Sequence, residues 1–210
     1  MKVKICGITN LEDALAAAEY GADAVGFVFA PESPRYVSPG TVRKIISALP
    51  PFVVTVGVFT TGSERDFRSA LDECGVDLIQ FHGPTPPEVV HLFSNRAIKA
   101  IRVRDVESLD EMSHYPVRAI LLDSYHEKTL GGSGVAFNWE IAKRAQKFGR
   151  IILAGGLTSE NVAEAVARVR PYGVDISSGV EIKKGKKDFE KLKRFIHTAK
   201  EAGKDDHPSE

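Results

Sequence analysis

Apolar residues recur along the chain in two alternating rhythms: short runs rich in Val, Ile and Phe, then longer stretches with apolar positions three or four apart. The runs predict strands at residues 3–8, 24–29, 53–59, 78–82, 98–103, 119–123, 151–154 and 174–177. The stretches between them predict helices over 11–20, 41–49, 64–73, 87–93, 106–114, 139–148, 159–169 and 188–200. Local punctuation supports these bounds. Asn10 and Ser63 offer side-chain caps, Gly21 and Gly75 stop helices, Pro87 suits a helix start, and Pro50 with Pro51 ends the second helix.

Strands separated by helices pair in parallel through right-handed crossovers, in an open doubly wound sheet or a closed barrel. Eight units of about 25 residues match the small end of the (β/α)8 class. The expectation is an α/β fold, a single (β/α)8 TIM barrel over residues 1–203, with 204–210 a frayed tail lacking apolar period. The connection over 124–137 is long and glycine-rich, and a loop of that kind calls for a function.

Composition narrows the partners. With 43% hydrophobic and 27% charged residues among 210, the chain has the makings of a packed core. Lys plus Arg and Asp plus Glu both number 28, so there is no basic excess to meet a phosphodiester backbone, and nucleic acid is not expected. The N-terminus lacks the apolar core of a signal peptide, and no run is long enough to span a bilayer, so no membrane is expected. Two cysteines make no disulfide framework, and the expected compartment is the cytoplasm.

In a barrel of this class, chemistry sits at the C-terminal ends of the strands. Cys6 stands there, before Gly7, as an inert thiol or as a base. Lys4, two residues earlier on the same face, either favours the thiolate or pairs with Asp175 of the eighth strand. Cys74 has no such context and reads as packing. Asp123 ends the sixth apolar run, either capping the following loop or serving as a general acid. His82 and Arg102 end their own strands, and Arg35 lies in the loop after the second. Glycine turns follow the last three strands, Gly131 to Gly134, Gly155-Gly156 and Ser177-Ser178-Gly179, and their convergence on one rim suits a phosphate. No metal-ligand spacing appears among the six histidines, and no GxGxxG opens a helix after the first strand.

Read together, KICGIT (4–9), SPR (33–35), QFHG (80–83), LLDS (121–124), GGSG (131–134) with Phe137 and Trp139, LAGGL (153–157) and DISSGVE (175–181) resemble the phosphoribosylanthranilate isomerases, in the same order. The resemblance covers residues 2 to about 198. KICGIT with DISSGVE carries most of its specificity, and Phe81 departs from the usual aliphatic residue. It implies the cofactor-free Amadori rearrangement of N-(5-phosphoribosyl)anthranilate to 1-(2-carboxyphenylamino)-1-deoxyribulose 5-phosphate in tryptophan synthesis. Cys6 is then the base and Asp123 the acid. Arg35, His82 and Asp175 bind substrate, with Arg35 on the anthranilate carboxylate, although His82 also suits a structural hydrogen bond. Gly155, Gly156, Ser178 and Gly179 hold phosphate, and Gly132, Ser133 and Gly134 cover the bound ligand. The partner implied is this small molecule, with no metal, and the chain is a monomer or homodimer.

Rivals include a dual-substrate isomerase, indoleglycerol-phosphate synthase, or a phosphometabolite binder without catalysis. Cys6 disfavours the first, the placement of Lys4 and Lys99 short of the rim the second, and Cys6 together with Asp123 the third.

Overall fold

The computed structural model describes residues 1–124 and 139–204. Eight parallel strands close into a barrel in chain order: β1 (Lys2–Ile5), β2 (Ala24–Val28), β3 (Val54–Phe59), β4 (Leu78–Phe81), β5 (Ala97–Val103), β6 (Ala119–Ser124), β7 (Ile151–Leu153) and β8 (Gly173–Ile176). Helices α1 (Leu11–Glu19), α2 (Pro39–Ile46), α3 (Glu64–Ser69), α4 (Pro87–His91), α5 (Trp139–Ala145) and α6 (Val162–Val169) lie between strands, and α7 (Phe189–Ala202) follows β8. The single (β/α)8 barrel expected from the period is the fold observed. Among the described residues, no helix is long and apolar enough to cross a membrane.

Alternate residues of each strand face opposite sides, and this parity organises the molecule. The outward set, Val3, Ile5, Val25, Phe27, Ile79 and Phe81 among it, packs under the helices in the main core. The inward set fills the lumen with Val56, Ile98, Ala100, Leu121, Ile152 and Ala154. Phe67 and Phe93 of the outer layer stack edge to face at 5.7 Å, with Phe81 against Phe67 at 4.9 Å, so Phe67 and Phe93 are both buried inside the subunit.

Several bounds differ from the periodic reading, each for a local reason. β1 ends at Ile5 because Gly7 takes a left-handed φ of +73°, where a Cβ would stand 2.6 Å from the Arg35 Cδ. Ser38 caps α2 and Pro39 starts it, ahead of the expected Thr41. α3 gives way to a π-helical turn over Ala70–Cys74, closed by Gly75 at φ +82°. Residues 107–114 form a 3-10 helix instead of an α-helix, tied off by the Asp105–Ser108 bonds and barred from continuing by Pro116. α6 begins only at Val162, because Asn161 spends its side chain bridging the Thr158 N–H and the Gly156 carbonyl. A hairpin absent from the sequence reading, β9 (Glu181–Lys183) against β10 (Lys186–Lys187), turns on Gly185 at φ +81° between β8 and α7. Gly132, Ser133 and Gly134, and the tail from residue 205, lie outside the described residues.

Candidate active site

Inward-facing residues just before or just beyond the strand ends, with the loops that follow, build an open cavity of about 630 Å3 at the C-terminal mouth. Its walls include Cys6, Arg35, His82, Asp123, Gly155, Gly156, Asp175, Ser178 and Gly179. Every residue nominated from the sequence outside the undescribed loop is therefore in one place. The walls also carry Gln80, Arg102 and Ser177.

Cys6 follows β1 and stays in register through its N–H, which donates to the Ile176 carbonyl at 2.8 Å. Lys4 lies beneath it, and the pair with Asp175, one of the two roles read for that lysine, is present. Its Nζ donates to Asp175 Oδ1 at 2.9 Å, and its positive charge favours the ionised form of the neighbouring Cys6. Gly26 makes the room: a Cβ there would stand 3.0 Å from Cys6 Sγ and 3.1 Å from Lys4 Nζ. Burial pushes the Cys6 thiol up, the Asp175 charge adds to that, and Lys4 and Lys187 pull against it without cancelling it. Burial likewise opposes the Lys4 ammonium, but Asp175 and Cys6 hold its pKa above the usual lysine value.

Lys187 was not foreseen. Although it sits in the run KKGKK, it is 1% exposed and turns inward from β10 to the chain just after β1 and β8. Its Nζ donates to the Cys6 carbonyl at 2.7 Å and the Ser177 carbonyl at 3.1 Å, and pairs with Glu181 Oε1 at 3.3 Å. Burial lowers its pKa, with Glu181 opposing. Glu181 in turn grips Arg35 at both oxygens, Nε and Nη2 each donating at 2.7 Å. Burial works against the Glu181 carboxylate, yet Arg35 and Lys187 hold its pKa below the ordinary range. The fork of Arg35 is thus fixed on one edge by Glu181, and among the described residues no partner takes its other three N–H groups.

Asp123, one residue before the end of β6, is in register with Arg102 of β5. Its Oδ2 lies 3.2 Å from His82 Nε2, and Gln80 Nε2 lies 3.1 Å from His82 Nδ1. The structural hydrogen bond read as one role for His82 is present.

Across the mouth, Gly155 and Gly156 take left-handed φ values of +78° and +66°. A Cβ on Gly179 would meet the Leu157 carbonyl at 2.4 Å, so the turns after β7 and β8 approach only because that residue is glycine. The Ser177 hydroxyl is buried without a partner among the described residues, in the same cavity wall as Cys6.

A profile of the family described as N-(5'-phosphoribosyl)anthranilate (PRA) isomerase matches residues 3–198. A curated relative of that name from Geobacter sulfurreducens is 52% identical over 200 residues, covering 95% of this chain and 98% of its own. The crystal structure of phosphoribosyl anthranilate isomerase from Thermotoga maritima superposes with a TM-score of 0.89 at 43% identity, over 96% of this chain and 99% of that one. A crystal structure of such an isomerase in complex with reduced 1-(o-carboxyphenylamino)-1-deoxyribulose 5-phosphate superposes with a TM-score of 0.86 at 40% identity, over 96% and 99%. With its motifs in order, its barrel closed and its mouth furnished as described, the chain belongs to the N-(5'-phosphoribosyl)anthranilate isomerase family.

Proposed function

We propose that this barrel rearranges N-(5-phosphoribosyl)anthranilate to 1-(2-carboxyphenylamino)-1-deoxyribulose 5-phosphate in tryptophan synthesis, with Asp123 as general acid and Cys6 as general base. The observation that carries the reading is that β6 and β1 present a carboxyl and a thiol to one cavity from separate sides of the mouth. Asp123 donates its proton to the furanose ring oxygen, and the C1′–O bond breaks as the anthranilate nitrogen lone pair forms a C1′=N iminium. The iminium acidifies C2′. The Cys6 thiolate removes the C2′ proton, the electron pair forms C1′=C2′, and the nitrogen becomes neutral. The enolamine then loses its 2′-hydroxyl proton and gains one at C1′, giving the ketone. A proton has passed from Asp123 to Cys6, and exchange with water at the open mouth restores both.

The substrate phosphate sits against Gly155, Gly156, Ser178 and Gly179, where backbone N–H groups can approach without a Cβ between. The free N–H groups of Arg35 take the anthranilate carboxylate, while Glu181 holds the guanidinium in place. His82 and Asp175 border the sugar, Asp175 keeping Lys4 neutralised beneath Cys6. Two anionic ends are thereby met locally by a chain of zero net charge.

The test is growth without tryptophan of an auxotroph lacking only this isomerase, with purified Cys6→Ser and Asp123→Asn assayed beside the wild type. Complementation and a loss of at least about 100-fold in kcat for each variant are expected, the usual worth of a general acid or base. Failure to complement, or wild-type turnover in either variant, overturns the reading.

A further inference from the structure

We propose that Gln80 and His82 are positioning residues for Asp123: the Gln80 amide holds His82 in its Nε2–H tautomer, and that N–H donates to Oδ2 of Asp123, leaving Oδ1 to carry and deliver the catalytic proton. The inference rests on Asp123 being the general acid and adds to that reading the residues that set its geometry.

Gln80 is the starting observation. It is 1% exposed in a lumen where the buried charges of Lys4 and Asp175 answer each other, but its own Oε1 is buried with no partner among the described residues. A buried amide with one orphaned end costs stability that an aliphatic side chain would not. What the amide does make is one bond, from Nε2 to His82 Nδ1 at 3.1 Å. With its NH2 turned to Nδ1 the amide donates, and in this orientation Nδ1 accepts and the ring carries its proton on Nε2. Nε2 lies 3.2 Å from Asp123 Oδ2. The chain of three residues has one direction, from amide to imidazole to carboxyl.

The backbone holds the imidazole where this works. The His82 N–H donates to the Phe59 carbonyl at 2.7 Å. Gly83 is pressed so close to Thr60 that a Cβ would stand 1.8 Å from its carbonyl oxygen, and the Gly83 carbonyl accepts from the buried Lys99 Nζ at 2.9 Å. Lys99, which faces outward and takes no part in the cavity, thus has a place in the site's support.

With Oδ2 occupied by a donor, the proton of protonated Asp123 goes to Oδ1. When that proton passes to the ring oxygen, the carboxylate left behind receives a stronger, charge-assisted bond from Nε2–H. The bond strengthens along the reaction, so its loss falls on kcat and leaves KM nearly unchanged.

Two measurements on the full chain test this. Long-range proton–nitrogen NMR of the imidazoles, assigned with His82→Gln, reads the tautomer directly, and Nε2–H with bare Nδ1 is expected in the wild type. Gln80→Met, close in volume, should shift His82 away from that tautomer and lower kcat about tenfold with KM within about twofold, less than the roughly 100-fold or more that loss of the acid itself costs. His82→Gln, which retains an N–H donor, should keep several-fold more kcat than His82→Leu. An Nδ1–H tautomer in the wild type, full kcat in Gln80→Met, or equal rates in His82→Gln and His82→Leu each overturn the proposal. Asp123→Asn separates the two levels: an inactive Asp123→Asn with unaffected Gln80→Met refutes the positioning alone, whereas an active Asp123→Asn refutes the assignment of the acid.

Discussion

Replacing Lys187 by Met tests how the mouth is held together. The ammonium is wholly buried and donates to the carbonyls of Cys6 and Ser177, joining the ends of β1 and β8, and it also faces Glu181. Truncation leaves two buried acceptors without that donor, each worth roughly 1–3 kcal/mol, and leaves Glu181 with Arg35 as its remaining cation. Methionine fills most of the volume and removes the cost of burying a charge, which offsets part of the loss. The net expectation is a destabilisation of about 3 kcal/mol, against a total of roughly 5–15 kcal/mol for a domain, so the variant still folds. Urea unfolding followed by the fluorescence of Trp139, the chain's one tryptophan, reads this as a fall of about 1 M in midpoint at a slope of about 3 kcal/mol per molar. The folded variant should also lose at least about tenfold in kcat, since the Cys6 main chain is no longer pinned. A midpoint unchanged from wild type would show that the carbonyls of Cys6 and Ser177 do not depend on this ammonium.

Two further outcomes follow from the site. Because burial, with the Asp175 charge, places the Cys6 pKa above the usual thiol value, alkylation of Cys6 by iodoacetamide in a Cys74→Ala background should rise with pH through a midpoint above about 8.5, and Lys4→Met should move it higher. A folded-state pKa above the unfolded one favours the native chain at lower pH, so wild-type stability should decline relative to Cys6→Ser as pH climbs past that value. A midpoint at or below it contradicts the electrostatics. Gly179→Ala, whose Cβ meets a backbone oxygen at 2.4 Å, should separate the turns after β7 and β8 and raise KM at least about tenfold, and an unchanged KM removes Gly179 from the phosphate site.

How much of this is written in the sequence depends on the residue. Strand parity is a period of two, so once β1 is recognised Lys4 and Cys6 must share the lumen face, and Asp123 at the end of β6 must reach the mouth. Lys187 has no such signature. KKGKK reads as a solvated charge run, and only Gly185 hints at the hairpin that turns one of its lysines inward. The Arg35–Glu181 pair joins residues 146 positions apart, beyond any local pattern. Gln80 and His82 were two apart in one motif and on one face, a parity signal present in QFHG and readable once β4 is placed. The 3-10 helix at 107–114 defeats periodicity because its spacing of three lies so close to that of an α-helix.

The division of labour between Asp123 and Cys6 is the central claim, and substrate deuterated at C2′ tests it most directly. Cys6→Ser slows removal of that proton, so its residual kcat should show a primary isotope effect. Asp123→Asn slows the preceding ring opening, so its residual kcat should show none. A primary effect in Asp123→Asn and its absence in Cys6→Ser would contradict the account.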